Sequence, residues 1–142
     1  MSVPRLNKEP SVRLGIDASN IRAGGGQTHL IELLAAARPD QHGFDRVIVW
    51  SNASTLSRIR VSDWLCKVNI PALQRSLPKR VAWQQAMLRR EAVKAQCDVL
   101  FVPGGTYLGS FRPYVAMSQN LLPFEWQEAR RYGLSSFTSR FL

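Results

Sequence analysis

The sequence predicts an α/β domain: a Rossmann-like doubly wound parallel sheet with helices on both faces. Three observations lead there. Short apolar runs rich in β-branched residues alternate with longer amphipathic stretches, the pattern of strands joined by crossover helices. The run Val47-Ile48-Val49-Trp50 is continuously apolar, as a strand covered on both faces must be. The chain has 142 residues, 45% hydrophobic and 20% charged, which suits one globular core and argues against disorder.

Residues 1–11 read as a loose polar leader, with Pro4 and Pro10, and residues 12–142 as the domain. Val12 to Ile16 forms the first strand and Asp17 ends it. A loop with three consecutive glycines, Gly24-Gly25-Gly26, follows. Glycines pack nothing; they free the backbone to take φ > 0 and let another group approach it closely. A helix is expected to start just after them, near Gln27 or Thr28, with Thr28 as its cap and Leu30, Ile31, Leu33, Leu34 and Ala37 facing inward. Pro39 and Gly43 close it. Such a helix points unpaired N–H groups and the positive end of its dipole into the loop, an arrangement that suits a phosphate. The plain alternative is an ordinary strand-to-helix loop.

Two phosphate motifs are excluded. Position 29 is His where the dinucleotide fingerprint needs a third glycine, and no Gly-Lys-Ser/Thr is present. The loop from Asp17 to Gly26 is also longer than the tight turn of an NAD-binding unit.

The second strand is Arg46 to Trp50, followed by a turn at Ser51-Asn52 and a short helix ending near Arg60. The third strand lies within Trp64 to Ile70 and stops at Pro71. After a connector from Leu73 to Pro78, Lys79 to Gln96 reads as the longest helix, with Leu77, Val81, Gln84, Leu88, Ala92 and Ala95 on one stripe. Its other side carries Lys79, Arg80, Arg89, Arg90 and Lys94. Charged helix faces are ordinarily solvated; the sharper expectation is peripheral contact with an anionic membrane face or an acidic substrate. Asp98 to Pro103 is the fourth strand, leading into Gly104-Gly105-Thr106; Pro113 to Ser118 is the fifth, ending at Gln119-Asn120. Helical turns follow within Trp126 to Leu142.

The formal net charge of +9 implies attraction to nucleotide, nucleic acid or an anionic membrane. No apolar run approaches the roughly 18 residues of a spanning helix. The first ten residues lack a signal-type apolar stretch, so cytoplasmic residence is the expectation. Cys66 and Cys97 lie far apart beside apolar strand patterns and are expected to be buried thiols, neither bridged nor metal-bound.

Ligands of such sheets bind outside the carboxyl ends of the strands. Asp17 to Gly26, Ser51-Asn52, Gly104 to Tyr107 and Gln119-Asn120 all fall there. Asp17 is read as an anchor for its loop rather than a base. His29 is read either as a donor to a phosphate or sugar oxygen or as a packing residue.

Gly15-Ile16-Asp17-Ala18-Ser19-Asn20 followed by Gly24 to Leu34, then Cys97 to Gly105, then Pro113 to Glu125 resembles, in that order, the opening domain of family 4 glycosyltransferases with the GT-B fold. The resemblance implies the acceptor-side, N-terminal domain of a retaining enzyme that moves a sugar from a nucleotide-sugar donor to a glycan or lipid-linked acceptor. It implies no bound metal and no other cofactor. Gly24, Gly25 and Gly26 match the donor-phosphate loop, to which Gln27 is assigned with them; Gly104, Gly105 and Thr106 match a loop lining the acceptor side, and Asp17, Asn20, His29, Gln119 and Asn120 are assigned to the same cleft from their places at the strand ends and the helix start. Two departures stand out. Many relatives carry His-Asp where this chain has Gln119-Asn120, and a neutral amide is no general base. The family's C-terminal, donor-binding domain is missing from these 142 residues, so catalysis is expected to need it in the same or a partner chain. The competing expectation is a basic α/β binding module for an anionic membrane or nucleic acid, without catalysis.

Overall fold

The computed structural model describes residues 11–105 and 107–117. The leader 1–10, Thr106, Gln119, Asn120 and the helical turns expected within Trp126 to Leu142 lie outside the described residues.

Five parallel strands form one sheet in the order β3-β2-β1-β4-β5: β1 Val12–Asp17, β2 Phe44–Ser51, β3 Leu65–Asn69, β4 Val99–Val102 and β5 Tyr114–Ala116. Beside them run α1 Gly24–Ala36, α2 Ala53–Arg58, α3 Leu77–Ala86 and α4 Leu88–Lys94, with short 3-10 turns at Pro39–His42 and Pro71–Gln74. The Rossmann-like fold read from the sequence is the fold observed. From β1 the chain steps outward through β2 to β3, then crosses back to β4 on the other side of β1. Right-handed crossovers in opposite directions put their helices on opposite faces.

The core accordingly has two halves. On one face Leu30 and Leu34 of α1, with Leu56 and Ile59 at α2, pack on Ile16, Val47 and Val49. On the other, Trp83, Leu88 and Ala92 pack on Ile48, Trp50, Leu100 and Val102. The alternation along β2, odd residues to one helix layer and even to the other, is the period-two geometry of a strand. Val49 and Trp50 are buried without remainder, and each fully buried side chain of this kind contributes about 1.5–3 kcal/mol.

Local devices hold the elements in place. Asn52 caps α2, its Oδ1 accepting from the Thr55 amide at 3.0 Å. At the other end of α2, Lys67 Nζ donates to the carbonyls of Leu56 (3.1 Å) and Ile59 (3.0 Å), placing a cation at the negative end of the helix. Gln96 adopts φ 56°, left-handed, just past α4, and its side-chain oxygen accepts from Arg13 at 2.9 Å.

The structure corrects the sequence reading at several points. α1 begins at Gly24, not after the glycines, and Thr28 lies inside it with its hydroxyl donating to the Gly24 carbonyl at 3.3 Å. Leu33, expected inward, is 40% exposed. The single long helix divides into α3 and α4 at Met87, whose φ widens to −111° although its hydrogen bonds to Trp83 and Glu91 persist. Cys66 is exposed. Arg80, assigned to the solvated basic face, is buried. It stands four residues before Gln84 and eight before Leu88, so helical geometry puts all three on one stripe.

Gly15 is the point of closest packing. A Cβ there would lie 2.8 Å from Trp50 Cζ3, 3.0 Å from Leu100 Cδ1 and 3.2 Å from Cys97 Sγ. The Trp50 ring therefore lies across the bare backbone of the central strand. Gly15→Ala is expected to destabilise the chain by about 1–3 kcal/mol through overpacking, measured as a lower urea midpoint at unchanged m-value.

Candidate functional site

The strand order reverses between β1 and β4, and the crevice outside their carboxyl ends is the default ligand position of such a sheet. Asp17 ends β1 inside it, 2% exposed. Its Oδ1 accepts from the Ser19 amide at 3.0 Å and its Oδ2 from Gln84 Nε2 at 2.5 Å. The Gln84 side-chain oxygen in turn accepts from the Leu108 amide at 3.2 Å. One buried amide thus ties the end of β1 to α3 and to the loop after β4. Burial pushes the Asp17 carboxyl above its ordinary value, and the hydrogen bonds from Ser19 and Gln84 pull it part of the way back. With both oxygens engaged inside the fold, Asp17 positions this corner.

A second set of bonds braces the loop in front of α1. Ser51 Oγ donates to the Ala18 carbonyl (3.3 Å), Thr55 Oγ1 to the Ile21 carbonyl (3.2 Å), and Gln27 Nε2 to the Arg22 carbonyl (3.0 Å) and to Thr55 Oγ1 (3.1 Å). Gln27 Oε1 accepts from Arg58 Nη1. Gln27, assigned to the donor-phosphate loop, is buried and spends its side chain on holding that loop.

The loop's carbonyls are thereby held by β2, α2 and α1 in turn. The amides of the first turn of α1 remain without intrahelical acceptors. That turn is Gly24-Gly25-Gly26; Ala23 before it is extended, no side chain caps it, and no acid stands in it. Gly24 takes φ +74°, and Cβ atoms at Gly24 or Gly25 would meet nothing within 4 Å. Glycine costs a helix about 1 kcal/mol per residue relative to Ala, so the packing of Leu30 and Leu34 must carry this start. Open space over unpaired amides is what an anion at a helix N-terminus requires.

Across the crevice, a Cβ at Gly104 would sit 3.4 Å from Asn20 Cβ, so these two assigned residues face each other. Gly105 takes φ 82°. The loop then folds over Tyr107, whose Oη accepts from the Phe111 amide at 2.8 Å. Burial raises the Tyr107 hydroxyl, and the nearby Asp17 carboxylate adds to that. Gly109 lies under the Tyr107 ring, where a Cβ would approach within 2.6 Å. Arg112 stacks on Tyr114, with its guanidinium 4.6 Å from the ring centroid.

The structure therefore brings Asn20, in the loop that follows Asp17, against Gly104 and the loop after β4, while the glycine turn opens to free space. His29 stands apart from the helix start, exposed and five residues beyond Gly24, because α1 begins earlier than expected. Two contributors escaped the sequence reading. Gln84 was seen only as a stripe residue; Arg80 was placed on the wrong side, though its spacing from Gln84 carried the signal. Cys97, beside Gly15, is pushed up to about 11 by burial and by Asp98, and is a thiol. Among the described residues no group of three His, Cys, Asp or Glu side chains is placed to hold a metal ion. Comparison with protein-family models, with curated proteins and with solved structures finds no match to this chain.

Because the folded state holds the Asp17 proton more tightly than the unfolded state does, stability falls as pH rises from the ordinary carboxyl value of 3.8 through the raised one. Asp17→Asn removes this slope. Urea midpoints between pH 4 and 7 are expected to show the wild type gaining on the variant as pH is lowered.

Proposed function

We propose that the chain is the acceptor-side domain of a retaining glycosyltransferase, with the crevice between β1 and β4 receiving a phosphate-bearing sugar compound. The observation that carries this reading is the start of α1: three glycines without cap or acid and with open space over Gly24 and Gly25, at the end of the loop whose Asn20 faces Gly104. The order of motifs along the chain, which resembles family 4 glycosyltransferases, supplies the reaction class. In this reading the first-turn amides of α1 stabilise charge on phosphate oxygens, as preorganised donors do at low cost. Asn20 hydrogen-bonds a sugar hydroxyl. Asp17 keeps β1, α3 and the loop after β4 in register and exchanges no proton with substrate. Transfer itself needs a donor-binding domain beyond these residues.

A ¹⁵N NMR titration of the 142-residue chain with UDP- and GDP-linked sugars tests the reading. Saturable shifts are expected at Asn20, Gly24 to Gly26, Gly104 and Gly105. Equal shifts with NAD, or none with any nucleotide sugar, would overturn it.

A second reading, peripheral attachment to an anionic membrane, has its own observation. Arg89, Arg90 and Lys94 line a shallow depression with Val93, which is 59% exposed, and Met87 nearby is 38% exposed. Basic residues flanking exposed apolar side chains suit a headgroup surface. No helix among the described residues is long and apolar enough to cross a membrane. At about 1 kcal/mol per basic residue, Arg89→Gln with Arg90→Gln is expected to weaken binding to phosphatidylserine vesicles about 30-fold, measured by co-sedimentation.

A further inference from the structure

The two faces of the sheet are covered unevenly. The register sets Leu14 beside Val99, Ile16 beside Phe101, and Phe101 beside Val115, so these five side chains share the face that carries α1. α1 and α2 belong to the connections that step from β1 out to β3, away from β4 and β5. On the opposite face Leu100 and Val102 are fully buried in the cluster formed with Trp83, Leu88 and Phe111. On the α1 face Val115 is left 58% exposed and Leu33 of α1 40%, with Leu14 and Phe101 only partly buried. These residues line one open groove of about 580 Å³ between α1 and the strands β4 and β5. Its lining is apolar apart from Arg38, Gln41 and His42, which follow α1. Apolar surface left to water forgoes about 25 cal/mol per Å².

The chain carries a segment of matching character. The Met117 amide donates to the Val102 carbonyl at 3.0 Å, so the chain leaves the sheet from the strand that lines the groove. The 25 residues 118–142 follow and lie outside the described residues. Their sequence sets Leu134, Phe137 and Phe141 three and four residues apart, the spacing of one helical face. Ser135, Ser136, Thr138, Ser139 and Arg140 fall off that face. The right-handed rule would send a helix leading to a further parallel strand over the other face. Residues 118–142 hold neither valine nor isoleucine from which to build such a strand. A covalently joined segment also acts at an effective concentration of order millimolar, which favours it over a free partner.

We propose that residues 134–142 dock in this groove of their own chain, with Leu134, Phe137 and Phe141 laid against Leu14, Phe101 and Val115 beside Leu33. β4 and β5 are then covered on both faces, as parallel strands require. The inference is independent of the nucleotide-sugar reading, since the groove and the crevice are lined by different residues.

The test is NMR on the 142-residue chain with labelled Leu and Val methyls and protonated Phe rings. Nuclear Overhauser contacts are expected from the Phe137 and Phe141 rings to the Leu33 and Val115 methyls, undiminished on dilution. Contacts of those rings with Trp83 or Phe111 instead put the segment on the other face and overturn the proposal. In a mixture of methyl-labelled and ring-labelled chains, contacts of equal strength show that a second copy fills the groove, which also overturns it. No contact at all does the same. Hydrogen exchange supplies a second readout. Val115→Asp, at an exposed position that the fold tolerates, is expected to speed exchange of the 134–142 amides about tenfold or more while the β1 amides keep their protection. Unchanged exchange in 134–142 overturns the proposal. Phe137→Ser with Phe141→Ser leaves the sheet untouched and is expected to open the groove to the apolar dye ANS; unchanged dye fluorescence counts against docking with equal force.

Discussion

A carboxylate buried at the end of the central strand is the constraint on which this molecule turns. Asp17 has no water to hold its charge, so the protein must supply donors, and it supplies the Ser19 amide and the Gln84 side chain. Hydrogen bonds to a charged group contribute about 1.5–3 kcal/mol when made and cost more when one partner is lost. Gln84 can reach Asp17 only because α3 lies across the sheet at this height, and its oxygen then fixes Leu108. The position of the β4 loop, and so the width of the crevice, follows from a hydrogen bond made at β1.

Trp50 sets the depth of the same structure. Its ring occupies the space over Gly15, between β1, β4 and the approach to Cys97, where any larger residue would collide. Small backbone on the central strand and a large ring from its neighbour are one packing solution, not two. With the sheet closed at that level, the polar groups of the strand ends are confined to the rim, where Asp17 and Ser51 brace the first loop and Asn52 caps α2.

Charge is distributed to match. The net +9 is not spread evenly: Arg22 bonds the Gln74 carbonyl, Arg58 bonds Gln27 of α1 and Arg80 is buried on α3, while Arg89, Arg90 and Lys94 lie along α4. The first group is braced by hydrogen bonds or buried; the second is exposed to solvent.

The sequence by itself determined the fold class, because strand periodicity and helix amphipathicity are local and survive in any context. Val47 to Trp50 reads as a two-sided buried strand, and Asn52 reads as a turn that proves to be a cap. The glycine turn was legible as a special place, and Gly104 as its counterpart. What local pattern could not decide was where the helix begins, since glycine is a poor helix former and α1 starts through them only because Leu30 and Leu34 are held by the core. Nor could it decide the fate of Arg80. Composition assigns an arginine to solvent; only the crossing of α3 over the end of β1, set by packing between residues far apart in the chain, turns it inward beside Gln84. Burial is a tertiary property, and the chemistry of this crevice depends on it.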